Sequence, residues 1–182
     1  MPQDYFSVVK IKVNNVWMKR GLRLQYIAPF DGAEKDGLPY IIVCILEPSL
    51  LTYADSSLRH QQFIYHSIED LNRQLRLKAK QVWTFYAKAN QVFETLIHHF
   101  EVKQVFSYQE SGIKVTWQRD KDVSELLSSN GVDWIQFQRD GIVRGIKNRK
   151  GWDRQWFATM HRPIIQNSIT SPDPPFTNPF PL

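Results

Sequence analysis

The residues best suited to chemistry in this chain are polar groups that follow directly on apolar runs. Gln109 and Glu110 come after the run 102–108, and side by side they offer a carboxamide and a carboxylate able to hydrogen-bond the ring of a bound ligand. Glu47 closes the run 40–46 in the corresponding place, where a carboxylate is either a site group or a loop solvator. Arg20, with Arg23, sits in the basic segment 19–24, suited to an anionic ligand or to pairing with Glu47 or Asp31. Arg59 opens the longest helical pattern, where a cation opposes the helix dipole unless it has a partner. Arg20, Glu47, Arg59, Gln109 and Glu110 are therefore the candidate binding residues. Arg119-Asp120 is accounted for by capping or an ion pair. His98-His99 has no Cys, Asp or His at ligand spacing, so no metal site is expected. Neither a Ser-His-Asp arrangement nor a glycine-rich phosphate loop is legible, and no catalytic residue is assigned.

These groups need a scaffold that brings strand ends together. Strands are expected over 11–18, 40–46, 81–87, 102–108 and 133–138, although Asn14-Asn15 weakens the first. The second is apolar throughout, as in a parallel sheet covered on both faces. Between them fall a short helix over 27–35 with Pro29 in its first turn and a long helix over 58–77 with the stripe Ile64, Ile68, Leu71 and Leu75. A further amphipathic segment carries Val92, Phe93, Leu96 and Ile97, and a helix over 116–129 is read as capped by Thr116, with Trp117, Val123, Leu126 and Leu127 on its apolar side. The alternation predicts an α/β fold, a doubly wound five-stranded parallel sheet of Rossmann-like type in the order 3-2-1-4-5, with helices on both faces. Ligands of such sheets gather outside the carboxyl ends of the strands, where Gln109, Glu110 and Glu47 lie.

In a chain of 182 residues, 42% of them hydrophobic, one compact domain is expected over 11–140, after an N-terminal extension over 1–10. A basic and aromatic segment follows over 141–162, where Arg144, Lys147, Arg149, Lys150 and Arg154 alternate with Ile146, Trp152 and Trp156, and a short helix there is expected to pack on the domain. Residues 163–182 hold six prolines and read as an extended or disordered linker. The net charge of +5 makes anionic partners plausible without specifying nucleic acid. Cys44 is the only cysteine, so no intramolecular disulfide forms. With no membrane-length apolar run and no secretory pattern, the chain reads as cytoplasmic.

Five segments in order, VWMKRGLRL (16–24), ILEPSLL (45–51), SLRHQQFIYHSIEDLNRQL (57–75), YQESGIKVTWQRDKDV (108–123) and GIVRGIKNRKGWDRQWFATM (141–160), resemble the DNA photolyase and cryptochrome family. The resemblance implies the N-terminal α/β domain of a two-domain flavoprotein, carrying an auxiliary light-harvesting chromophore. The C-terminal helical domain, which binds FAD and either repairs pyrimidine dimers in DNA or drives signalling, is absent from these 182 residues. The parent would be a deoxyribodipyrimidine photolyase or a photosensor, its partners the FAD domain and DNA, and this chain alone would not be catalytically competent. Any binding of DNA by the chain itself is expected to be weak and salt-sensitive.

Two departures bear on the chromophore. Where the family commonly reads Arg-Asp-Leu-Arg, this chain has Arg20-Gly21-Leu22-Arg23, and where folate-binding members carry an Asn-Glu pair it has Val115-Thr116. A valine supplies no hydrogen bond to a folate ring, so a flavin or deazaflavin antenna is favoured over folate, and an empty pocket stays open. The alternative is a stand-alone α/β module binding a nucleotide-like ligand or a protein at the same strand ends.

Overall fold

The computed structural model describes residues 10–139, 141–143 and 145–181. Nine residues of the expected extension, 1–9, and Arg144 of the basic run lie outside them. Twelve elements follow in the order β1 (Lys12–Met18), α1 (Ala28–Asp36), β2 (Tyr40–Ile45), α2 (Pro48–Leu51), α3 (Leu58–Leu75), a 3-10 turn (Arg76–Lys78), β3 (Val82–Phe85), α4 (Ala89–His99), β4 (Glu101–Tyr108), α5 (Lys114–Ser129), β5 (Asp133–Phe137) and α6 (Trp152–Met160). All strand pairings are parallel and the order is β3-β2-β1-β4-β5, as the alternation predicted.

One face of the sheet packs Val13, Trp17, Ile41, Val43, Phe85 and Val105 against Val92, Phe93 and Leu96 of α4 and Val123 and Leu127 of α5. The other packs Val16, Ile42, Cys44 and Phe106 against Phe30 of α1 and Ile68, Leu71 and Leu75 of α3. Burial of Val, Leu, Ile and Phe side chains stabilises by roughly 1.5–3 kcal/mol each, which is why β2, apolar on both sides, occupies an interior position.

Asn14 and Asn15 are tolerated in the middle of β1 for a local reason. The pairing with β4 shifts register between Val13 and Asn15, and the Gln104 amide donates to Asn14 Oδ1 at 3.1 Å instead of to a backbone carbonyl. Asn14 Nδ2 in turn donates to Asp36 at 2.6 Å. Asn15 is fully buried with neither side-chain polar atom hydrogen-bonded.

The start of α5 corrects the sequence reading. The helix begins at Lys114 after Ile113, which makes no side-chain cap, and Thr116 lies inside it with Oγ1 donating to the Ile113 carbonyl at 2.9 Å. The buried stripe is thus Thr116, Asp120, Val123 and Leu127, at i, i+4, i+7 and i+11. Trp117, one step of about 100° around the helix from Thr116, is 51% exposed. That rotation carries Asp120 inward.

Residues 163–181 form no helix or strand, as their prolines require, yet they lie along the domain. Asn167 exchanges four hydrogen bonds with Gln25 and Ile27, Ile169 is buried, and Phe176 packs its ring against Trp83 and Phe85. Lys80, whose side chain is wholly buried, meets Asp173 at 3.3 Å and donates to the Tyr40 and Ser171 carbonyls. Asp173 also accepts from the Gln81 amide, and its own amide donates to the Ala79 carbonyl. Further on, Asn178 donates to the Thr84 carbonyl at 2.6 Å and the Tyr86 amide to the Phe180 carbonyl at 3.0 Å. Helix α6 buries none of its residues; Trp152 and Trp156 lie 6.3 Å apart, and Trp156 rests beside Gly141.

Candidate functional site

Strands β1, β2 and β4 end side by side, with Met18 opposite Cys44 and Trp17 opposite Ser107. The residues that follow them, Lys19-Arg20, Glu47 and Gln109-Glu110, therefore share one rim of the sheet. Helix α5 adds Arg119 and Asp120 from the side. Arg119 is the hub: its Nη2 lies 2.9 Å from Glu110 Oε2 and 2.9 Å from Asp120 Oδ1, its Nη1 lies 3.5 Å from Glu47 Oε1, and its guanidinium sits 4.9 Å from the Trp17 ring. A planar fork with five donors serves several carboxylates at once in a way an ammonium does not. Lys19 reaches Asp120 at 2.5 Å and lies over the rings of Trp17 and Trp134 at 4.5 and 4.8 Å. Arg20 closes the group from the solvent side, 3.1 Å from Glu110 Oε1. Gly112 lies directly beneath that last pair, where a Cβ would collide with Arg20 and Glu110.

Three cations thus face three carboxylates, and all but Arg20 are largely buried. Balanced charge makes the burial tolerable, but desolvation still shows. It lowers the Lys19 pKa from 10.5 to about 8 although Asp120 pulls it upward. Burial likewise raises the Glu47 carboxyl above its ordinary value, against the opposing pull of Arg119 and the Ala89 amide.

Space for a ligand is unevenly distributed around this group. The pocket between Val16, Arg20, Ile27, Tyr108, Gln109 and Arg139 holds only about 30 Å³, room for a water or two and not for a planar ligand. Arg139 lies across the Tyr108 ring at 5.8 Å and helps to fill it. Open clefts lie around the ion cluster, among them one of about 250 Å³ between Glu110, Asp120 and Trp134 and two larger ones. One, of about 360 Å³, runs between Arg20, Glu110 and Tyr53; the other, of about 420 Å³, lies between the first turns of α4 and α5 beside Glu47. Among the described residues, no group of three or more His, Cys, Asp and Glu side chains is placed to hold a metal ion.

Four of the five residues singled out in the sequence, Arg20, Glu47, Gln109 and Glu110, come together here. Arg59 does not join them: it stands exposed in the first turn of α3 and lines none of these spaces. The partners differ from those expected. Arg20 takes Glu110, Arg23 donates to the Tyr26 carbonyl, and Asp31 pairs with Lys35. The role assigned to Arg119-Asp120, an ion pair, is present but extends to Glu47 and Glu110. Lys19 was not singled out, and its only signal in the sequence was a lysine directly after an apolar strand.

Residues 15–167 match the model of the DNA photolyase family. No curated protein matches the chain. Among solved structures, a cryptochrome from Synechocystis superposes with a TM-score of 0.74 at 16% identity, over 94% of this chain and 41% of its own. An archaeal photolyase from Sulfolobus tokodaii, which carries two FAD molecules, gives 0.72 at 18% identity, over 90% and 38%. A class III photolyase from Agrobacterium tumefaciens gives 0.72 at 18%, over 98% and 38%. The chain spans about two fifths of the length of these proteins. No helix among the described residues is long and apolar enough to cross a membrane.

Proposed function

The chain belongs to the DNA photolyase family, and from that premise we propose that it serves as the light-harvesting-chromophore domain of a cytoplasmic photolyase- or cryptochrome-like flavoprotein. The observation that carries this reading is the convergence of Arg20, Glu47, Gln109 and Glu110 on one rim of the sheet, beside clefts open to solvent. The chemistry of dimer repair or of photosensing would reside in a partner, an FAD-binding helical domain, so this chain harvests light without transferring an electron to DNA. Tyr53, Leu58, Phe63 and Trp117 are exposed on the loops and first turns that follow β2 and β4, and they offer that partner an apolar surface.

The antenna is a flavin or deazaflavin rather than a folate. Val115 lines the cleft beside Glu47 without a polar atom, and Thr116 has its hydroxyl committed to the Ile113 carbonyl. Incubating the purified chain with FMN, FAD, a deazaflavin and a reduced folate, followed by gel filtration, tests the reading. Visible absorbance should co-elute with the flavin or deazaflavin and raise the melting temperature. A chain that retains none of the four is not a chromophore domain.

A further inference from the structure

The net charge of this chain is concentrated in one stretch. Six of its 23 lysines and arginines but only one of its 18 acidic residues fall within 141–162, so these residues carry the whole net charge of +5 and the rest of the chain is neutral. Lys147, Arg149, Lys150, Arg154 and Arg162 are all exposed. Among the described residues none of the five takes part in an ion pair, unlike the cations of the cluster at the strand ends. The lone acid, Asp153, sits in the first turn of α6, where the helix dipole favours it.

Bare apolar side chains stand among these cations. Ile142, Ile146, Trp152, Phe157, Met160 and Ile164 are between 38% and 75% exposed. Trp152, Trp156 and Met160 recur at every fourth position of α6 and so share one side of it. Trp156 rests on Gly141, which brings Ile142 beside that side. A nucleic acid would engage the cations and stack on the aromatic rings, but it offers nothing to three isoleucines and a methionine. An anionic lipid surface suits both kinds of residue: its headgroups attract Lys and Arg, and Trp, Phe and aliphatic side chains enter the boundary of the acyl chains.

We propose that residues 141–164 form a peripheral docking surface for an anionic lipid bilayer, with the cations on the headgroups and the apolar side chains at the acyl boundary. With nine residues, α6 is too short to span a bilayer, so the segment lies on the surface instead of crossing it. The assignment goes beyond the light-harvesting reading and does not depend on it, since it sets the α/β domain against a membrane whatever chromophore the domain carries.

Flotation of the full chain with vesicles of phosphatidylcholine, or of phosphatidylcholine with about a third phosphatidylglycerol, tests the proposal. The chain should float with the anionic vesicles and not with the neutral ones, come off at about 0.5 M salt, and shift its tryptophan emission to the blue when bound. The double variant Arg149→Glu/Lys150→Glu should weaken the partition by about tenfold or more. The double variant Ile146→Ser/Phe157→Ser should weaken it by a similar factor while leaving its salt dependence unchanged. All four positions are exposed, and circular dichroism melts establish that both variants fold. Retention of a single-stranded oligonucleotide in preference to vesicles, unaffected by the serine variant, would make the segment a nucleic-acid footprint and overturns the proposal. A dimer in gel filtration that the serine variant dissolves also overturns it, because the apolar side chains then belong to an interface with a second copy. So does a chain that floats with neither kind of vesicle.

Discussion

Replacing Lys19 by methionine isolates the energetic cost of the buried ion cluster. Lys19 is 5% exposed in its side chain, wedged between two tryptophan rings, and burial holds its pKa at about 8 instead of 10.5. The unfolded chain keeps this proton up to about pH 10.5, whereas the folded chain releases it near 8. Between those values the unfolded state binds more protons, so stability rises with pH. The difference of about 2.5 units corresponds to about 3 kcal/mol. Lys19→Met retains the apolar stem and leaves Asp120 paired with Arg119 at 2.9 Å, so no carboxylate is abandoned. Urea unfolding of both proteins at pH 7, 8, 9 and 10, followed by tryptophan fluorescence, gives the comparison. The wild-type minus variant difference cancels the tyrosines, including Tyr40, whose pKa burial raises. The expected difference moves toward the wild type by about 2–3 kcal/mol from pH 8 to 10, with the variant no less stable at pH 7. A flat difference, or a variant weakened by more than about 2 kcal/mol at pH 7, would show that the lysine is held by its partner more strongly than burial opposes it.

Arg119→Lys keeps the charge but cannot serve Glu47, Glu110 and Asp120 together; a loss of about 2–4 kcal/mol in urea unfolding is expected, and a neutral outcome would remove Arg119 from its place as hub. Asp173→Ala strands the buried Lys80 and should cost about 3–5 kcal/mol, with residues 163–181 becoming the first target of limited proteolysis. Asn15→Leu replaces a buried, unpaired carboxamide by an apolar side chain of similar size and should raise the urea midpoint, by about 1–2 kcal/mol in stability.

The sheet was legible because β2 is apolar on both faces and the strands are separated by recognisable helices, and the elements differ from their expected bounds mainly at the ends. The third strand shortens to Val82–Phe85, and the long helix passes into a 3-10 turn at Arg76. The misplaced start of α5 has a definite cause. Thr116 has the chemistry of a cap, but its hydroxyl turns back to the Ile113 carbonyl, and the true cap position carries an isoleucine that no capping rule marks. The site was half legible for a related reason. Polar groups after strands are visible one strand at a time, so Glu47, Gln109 and Glu110 could be found. Their mutual partner could not, because Arg119 reaches them only once the turn of α5 and the parallel register are both fixed. Arg59 attracted notice through the helix dipole, a force that exposure to water weakens. The proline-rich tail was read as extended, and its anchoring depends on Asn167, Asp173 and Asn178, polar residues whose partners lie far away in sequence.

The path of that tail governs how the molecule behaves in a crowded solution. β3 is an outermost strand of a parallel sheet, and such margins recruit extended segments from other chains. Here the Ala79 and Thr84 carbonyls and the Gln81 and Tyr86 amides are already engaged by residues 173–180. The prolines at 172, 174, 175 and 179 have no N–H to offer a further strand. The tail therefore ends the sheet instead of lengthening it, and stripping it away would expose a template for fibril-like stacking.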